Sequence, residues 1–252
     1  MRAIALLALL LLHGCALTEL REELEEFYAI PEHTGLHAYE PYDPAKVPVL
    51  FIHGAGGAKD NWHRFIERLD RTRYQPWAYT YPTGLPIEAS AARLNEIVLQ
   101  LHATHRFPRL VVVGHSMGGL VGRRFIALNQ QPYARELITL ATPWDGVPMA
   151  RLAASLGRYS LPSWQDLTPG SVFLRTVQGD ELPLSVRHHI LFGYREGGDS
   201  FDSDGVVSVA SQREGHVEAQ ASGVHGFRTD HSAILDDPAV LRRFTALLAG
   251  YN

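Results

Sequence analysis

The chain has 252 residues, of which 46% are hydrophobic, 20% charged and 10% aromatic; this suits a compact domain with a sizeable core and excludes disordered, collagenous and repeat compositions. Lys+Arg 23 against Asp+Glu 27 leaves a formal charge of -4, so no basic surplus exists to hold a phosphate backbone and nucleic acid is not an expected partner. The single cysteine, Cys15, rules out an intramolecular disulfide framework and any zinc site built from several thiolates.

Met1 and Arg2 precede the apolar run 3–12, which His13, Gly14 and Cys15 follow. A run of that length is too short to cross about 30 Å of hydrocarbon as a helix and suits the middle of an export signal. The order Leu12-His13-Gly14-Cys15 resembles a bacterial lipoprotein signal, although His13 departs from the small residues usual there. The resemblance implies that residues 1–14 are removed and that Cys15 is acylated, which tethers the protein to the cell envelope without a membrane span. Ala16 in place of Asp after the cysteine favours the outer membrane. A plain secretory signal or an uncleaved anchor is the competing reading. Residues 18–28 (TELREELEEFY) put Leu20, Leu24 and Phe27 at helical spacing among glutamates. They are expected to form an acidic surface helix within an N-terminal segment, 15–46, that leads into the main domain at 47.

From there the pattern alternates. VPVLFI at 47–52 reads as a buried strand, 75–81 as the next, and 87–105 as a helix with Ala91, Leu94, Ile97, Val98 and Leu101 on one side. Strand RLVVV (109–113), helix 118–128, strand ELITL (136–140), strand RHHILFGY (187–194) and a closing helix 239–249 complete the series. Such alternation predicts an α/β fold, a mostly parallel sheet with helices on both faces. The segment 146–185 fits poorly. Its Leu152, Ala153, Leu156, Tyr159, Leu161, Trp164 and Leu167, broken by Pro162 and Pro169, suggest short helices capping a cleft, or else a crossover helix with long loops.

Gly114-His115-Ser116-Met117-Gly118-Gly119 stands between an apolar strand and a helix, the setting that a G-x-S-x-G nucleophile elbow requires. A tight strand-to-helix turn strains its central residue and leaves no room for neighbouring side chains, so glycines flank the serine and Ser116 is pushed out above the sheet. A serine needs a base and a pocket for the developing oxyanion. The Gly-rich loop His53-Gly54-Ala55-Gly56-Gly57 after the first strand offers backbone N–H groups for such a pocket, together with that of Met117. GAGGAK does not have the spacing of a phosphate loop.

HGAGG, GHSMGG, ATPWDG (141–146) and SDGVVSV (203–209) together resemble an α/β-hydrolase of the bacterial lipase and GPI-inositol-deacylase-like type, from about Val47 to the C-terminus. The resemblance implies a Ser-Asp-His order along the chain, with Asp204 as the acid, His231 as the base, and the N–H groups of Ala55 and Met117 as the oxyanion hole. It implies hydrolysis of carboxylic esters, as by a lipase or carboxylesterase, with a small-molecule ester or lipid as substrate and with neither cofactor nor metal. Acyl transfer, thioester hydrolysis, or a silent lipid-anchored envelope protein are the alternatives. Asp199 and Asp202 rival Asp204, and His216 and His225 rival His231. SFDSDG reads poorly as a calcium loop, because Ser200 and Ser211 stand where carboxylates are needed. The apolar residues of 146–185, with Trp144, point to an acyl group in the cleft.

Overall fold

The computed structural model describes residues 34–155, 160–195 and 203–250. Cys15, the 18–28 segment, Leu156, Tyr159, Asp199, Ser200 and Asp202 lie outside them. The core is a seven-stranded sheet in the order β1-β3-β2-β4-β5-β6-β7. Its strands are β1 (Gly35–Ala38), β2 (Val47–Ile52), β3 (Tyr74–Thr80), β4 (Leu110–His115), β5 (Ala134–Leu140), β6 (Arg187–Tyr194) and β7 (Gly223–Arg228). Strand β1 runs antiparallel to β3, and every other pairing is parallel.

The central strands read as continuous apolar runs because both sheet faces are covered, and alternate side chains divide between the two layers. Leu50 and Ile52 of β2, Leu110 and Val112 of β4, Leu137 of β5 and Ile190 of β6 face one side. There they meet Ala91, Leu94 and Val98 of α2 (Ile87–His105) and Leu120, Val121 and Phe125 of α3 (Met117–Asn129). Val49, Phe51, Val111, Val113, Ile138 and Leu191 face the other side, against Phe65 of α1 (His63–Glu67) and Val240, Leu241 and Phe244 of α9 (Pro238–Ala249). Each such side chain contributes about 1.5–3 kcal/mol relative to exposure, so these strands carry the stability of the sheet.

The segment 146–185 forms three short helices, α4 (Pro148–Ala154), α5 (Pro162–Asp166) and α6 (Val172–Gly179). Leu167, Phe173, Leu174 and Val177 join the core shared with α2 and α3, whereas Met149, Leu152 and Val172 are exposed. Two further short helices, α7 (Val209–Gln212) and α8 (Gly215–Ala219), precede β7.

The chain leaves β2 for β3 on one side, then returns to β4 on the other and continues outward through β5, β6 and β7. The carboxyl ends of β2 and β4 therefore flank a point where the winding reverses. The connections there diverge and leave a crevice, the usual place for a site in such a sheet.

Candidate active site

Ser116 follows β4 directly and is the N-cap of α3, with φ 53° and ψ -127°. For a residue with a Cβ this is a strained conformation, held here by neighbours on both sides. The Ser116 N–H donates to the Leu140 carbonyl at 2.8 Å, and its carbonyl accepts from Gly119 N–H at 3.0 Å. The flanking glycines are explained by close approach. A Cβ on Gly118 would lie 2.2 Å from the Ile52 carbonyl oxygen, and one on Gly119 would lie 1.9 Å from Oγ1 of Thr142. Side chains at either position would drive α3 away from the ends of β2 and β5.

His231 follows β7. Its Nε2 faces Oγ of Ser116 at 2.9 Å, and its Nδ1 faces Oδ2 of Asp204 at 2.7 Å. With Nδ1–H donating to the carboxylate, Nε2 is left to accept the serine proton. Asp204 is fully buried. Its other oxygen, Oδ1, accepts the N–H groups of Val206 at 2.9 Å and Val207 at 2.7 Å, so both oxygens of the carboxylate are engaged. The backbone couples Asp204 and His231 as well, since His231 N–H donates to the Asp204 carbonyl at 3.0 Å. Above Gly205, whose φ of 93° closes this turn, lies the Arg195 guanidinium, paired with Asp230, the residue before His231. The histidine rivals sit elsewhere: His225 Nε2 accepts from Arg243 at 2.7 Å, and His216 lies in the first turn of α8.

The HGAGG loop folds into a tight turn, closed by Gly57 N–H on the Gly54 carbonyl at 3.1 Å, with Gly56 at φ 64°. Gly56 N–H donates to Oγ1 of Thr83 at 3.1 Å. Ala55 is the exposed residue at the tip, and Met117 opens α3, where a helix leaves its first N–H groups without intrahelical partners. Gly54 brings the turn onto Ser116: a Cβ there would lie 2.9 Å from that of the serine.

Two further histidines support this arrangement. His53 is buried and stacked on Tyr81 with ring centroids 4.6 Å apart. Its Nδ1–H donates to the Gly54 carbonyl at 2.8 Å, and its Nε2 accepts Tyr81 N–H at 3.3 Å. Burial pushes its pKa down to about 4, so it serves neutral. His115 donates from Nε2 to the His231 carbonyl at 2.9 Å, and burial pushes its pKa down to about 3, with His231 beside it as a lesser cause. Sequence patterns marked His53 and His115 only as neighbours of the loop and elbow, because nothing in a motif reports which carbonyl a ring nitrogen will meet. Gln212, fully buried behind Asp204, carried no sequence signal at all.

Among the described residues, no group of three or more His, Cys, Asp or Glu is arranged to hold a metal ion, and no helix is long and apolar enough to cross a membrane. A surface cavity of about 480 Å³ lies over α7 and α8, lined by Val209, Arg213 and Glu218 among others, and none of Ser116, Asp204 and His231 lines it.

Residues 47–178, more than half of the chain, match the family described as alpha/beta hydrolase fold. The chain belongs to that family. Among solved structures, this α/β-hydrolase-fold protein is similar to the mature Bacillus licheniformis lipase BlEst2, with a TM-score of 0.68 and 22% identity over 85% of this chain and 98% of that one. It is also similar to the Paleococcus ferrophilus monoacylglycerol lipase, with a TM-score of 0.63 and 14% identity over 86% and 98% of the two chains. Among curated proteins, it is 27% identical to the GPI inositol-deacylase of Candida albicans over 73% of this chain and 53% of that protein. The α/β-hydrolase-fold chain spans about a third to a half of the length of the curated relatives it matches.

Proposed function

We propose that the protein is a serine hydrolase that cleaves carboxylic esters, with Ser116 as nucleophile, His231 as general base and acid, and Asp204 as the group that orients the imidazole. The observation that carries the reading is the continuous hydrogen-bonded chain from Ser116 Oγ through His231 to Asp204, at 2.9 and 2.7 Å, on a strained elbow. His231 takes the hydroxyl proton as Ser116 Oγ bonds to the ester carbonyl carbon. The imidazolium that forms is stabilised by the Asp204 carboxylate. As the tetrahedral adduct collapses, the C–O bond to the alcohol breaks and His231 returns the proton to the leaving oxygen. Water, activated by the same imidazole, then releases the acid from the acyl-enzyme. Ala55 and Met117 N–H groups supply the oxyanion hole in this reading, and the loss of one such donor costs about 10² to 10³ in rate.

The similar lipases and the GPI inositol-deacylase support an ester or lipid substrate, as do exposed Met149, Leu152 and Leu85. Lipase or carboxylesterase activity is the reading adopted. The N-terminal lipoprotein-like signal supports export and tethering to the outer membrane through acylated Cys15, which would bring the enzyme to lipid esters.

Purified wild type is expected to react with a fluorophosphonate probe on Ser116 and to hydrolyse nitrophenyl esters, whereas Ser116→Ala is expected to do neither. Equal labelling of both proteins, or labelling of neither, removes the hydrolase reading. A chain-length series then tests the lipid reading, which a preference for butyrate or shorter would overturn. Cys15→Ser is expected to release the protein from the membrane fraction; unchanged partitioning would refute acylation as the tether.

A further inference from the structure

Strand β6 continues to Tyr194, but its neighbour β5 stops at Leu140. Ala141 donates its N–H to the Leu191 carbonyl at 2.9 Å and then, with φ 50°, turns out of the sheet. Alternate residues of a strand direct their main-chain groups to the same side, so the N–H and C=O of Gly193 point as the Leu191 carbonyl does, into the gap beyond β5. Buried main-chain groups there need partners.

Gln212, at the end of α7, supplies them. Its Oε1 accepts Gly193 N–H at 2.9 Å, and its Nε2 donates to the Gly193 carbonyl at 3.0 Å and to the Val207 carbonyl at 3.1 Å. A primary amide has the acceptor and donors of a peptide group, so this side chain stands in for the missing strand. Its remaining bond reaches the turn that carries Asp204. The Val207 carbonyl also accepts Asp204 N–H at 3.1 Å, while Val207 N–H donates to Oδ1 of Asp204 at 2.7 Å. The other side of the clasp is Gly193 itself. A Cβ there would lie 3.1 Å from that of Asp204 and 3.0 Å from the Thr229 carbonyl, two residues before His231.

We propose that Gln212 is a positioning residue: by clasping Gly193 and Val207, its amide fixes the Asp204 turn on β6 and so sets the contact of the carboxylate with His231. The proposal rests on the serine-hydrolase reading above. Gln212→Leu fills much of the space but removes all three hydrogen bonds, and Asp204→Asn removes the carboxylate whose contact with His231 Gln212 is argued to set. The two changes and their double variant form a cycle, read by the rate of fluorophosphonate labelling at Ser116, followed over hours so that slow variants stay measurable, and by kcat and KM on a nitrophenyl ester.

Gln212→Leu is expected to lower the labelling rate and kcat by about tenfold or more with little change in KM, but by less than about twofold in the Asp204→Asn background, because groups acting as a unit are not additive. Equal losses in the two backgrounds, or wild-type rates in Gln212→Leu, would overturn the proposal. Should Gln212→Leu not fold, Gln212→Met, which keeps the unbranched stem and removes the amide, enters the same cycle. An unlabelled wild type would instead remove the hydrolase reading and this role with it. A labelled wild type with additive losses would remove only the clasp.

Discussion

His53, His115 and His231 lie at the carboxyl ends of β2, β4 and β7, and the partners of each ring decide what it can do. His53 spends both nitrogens on main-chain groups, and His115 directs its Nε2 at the carbonyl of residue 231, so neither presents its Nε2 to Ser116. His231 alone turns Nε2 to the serine. The bond from His115 thus ties the residue before Ser116 to the backbone of His231. Losing a hydrogen bond of this kind costs about 0.5–1.5 kcal/mol, which corresponds to a fall in kcat of about two- to tenfold if the base is displaced in proportion. His115→Phe is expected to show that fall with KM unchanged. His115→Gln can still donate from an amide nitrogen and is expected to recover part of it. Because burial holds His115 neutral near pH 7, the two variants should keep the pH dependence of wild type. Steady-state kinetics from pH 6 to 9 would check both points.

At the scale of elements, what sequence patterning revealed follows the burial of each segment. VPVLFI, 87–105 and RHHILFGY have the bounds predicted for them, since strands covered on both faces and a long amphipathic helix leave strong periodic signals. The strand before the serine runs on through Gly114 and His115, two residues that propensity alone would put outside it. Edge strands were not legible. GLHA of β1 and GVHGFR of β7 mix glycine, histidine and exposed positions, because one neighbour is enough to hold them in the sheet. The site followed the same division: Ser116, Asp204 and His231 stand in motifs, whereas the supports from Gln212, Thr83 and His115 depend on distant partners that spacing does not encode. The apolar residues of 146–185, expected over a cleft, include Leu167, Phe173, Leu174 and Val177 that fill the core beside α2 and α3.

One contact shows how that segment is fastened. Oδ2 of Asp166, the last residue of α5, accepts the N–H of Ile87 at the start of α2 at 2.8 Å. It acts as an N-cap supplied from another element, since Pro86 has no side-chain acceptor of its own. Burial of Asp166 raises its carboxyl pKa, and the hydrogen bond opposes that shift. Asp166→Ala is expected to lower stability by about 1 kcal/mol, and Asp166→Asn, which keeps an acceptor, by less. Urea unfolding followed by circular dichroism would give both values, and equal losses would mean that charge rather than capping matters at this position.

The whole molecule carries a pH dependence that its buried histidines impose. His53, with a pKa pushed down to about 4, His115, down to about 3, and His188, held well below its usual value, all stay neutral inside the fold because burial disfavours their charged forms. In the unfolded chain each titrates near pH 6.5. As pH falls below that value the unfolded state binds protons that the folded state refuses. Stability is therefore full above about pH 6.5 and declines by about 1.4 kcal/mol per pH unit for each such residue, down to its folded pKa. Asp166 and Asp180, whose carboxyl pKa values burial raises, oppose this decline at the acid end because the folded state protonates them first. A single substitution isolates one histidine from that sum. His188 lies edge-on to Trp144 at 5.5 Å, with Nε2 3.0 Å from Thr139 Oγ1 and no contact with the proposed triad among these interactions. Whatever His188→Gln costs at pH 7, its unfolding free energy should fall less steeply than that of wild type as pH drops below about 6.5. Equal slopes in urea titrations of the two proteins would mean that His188 accepts a proton within the fold and that burial does not exclude its charged form.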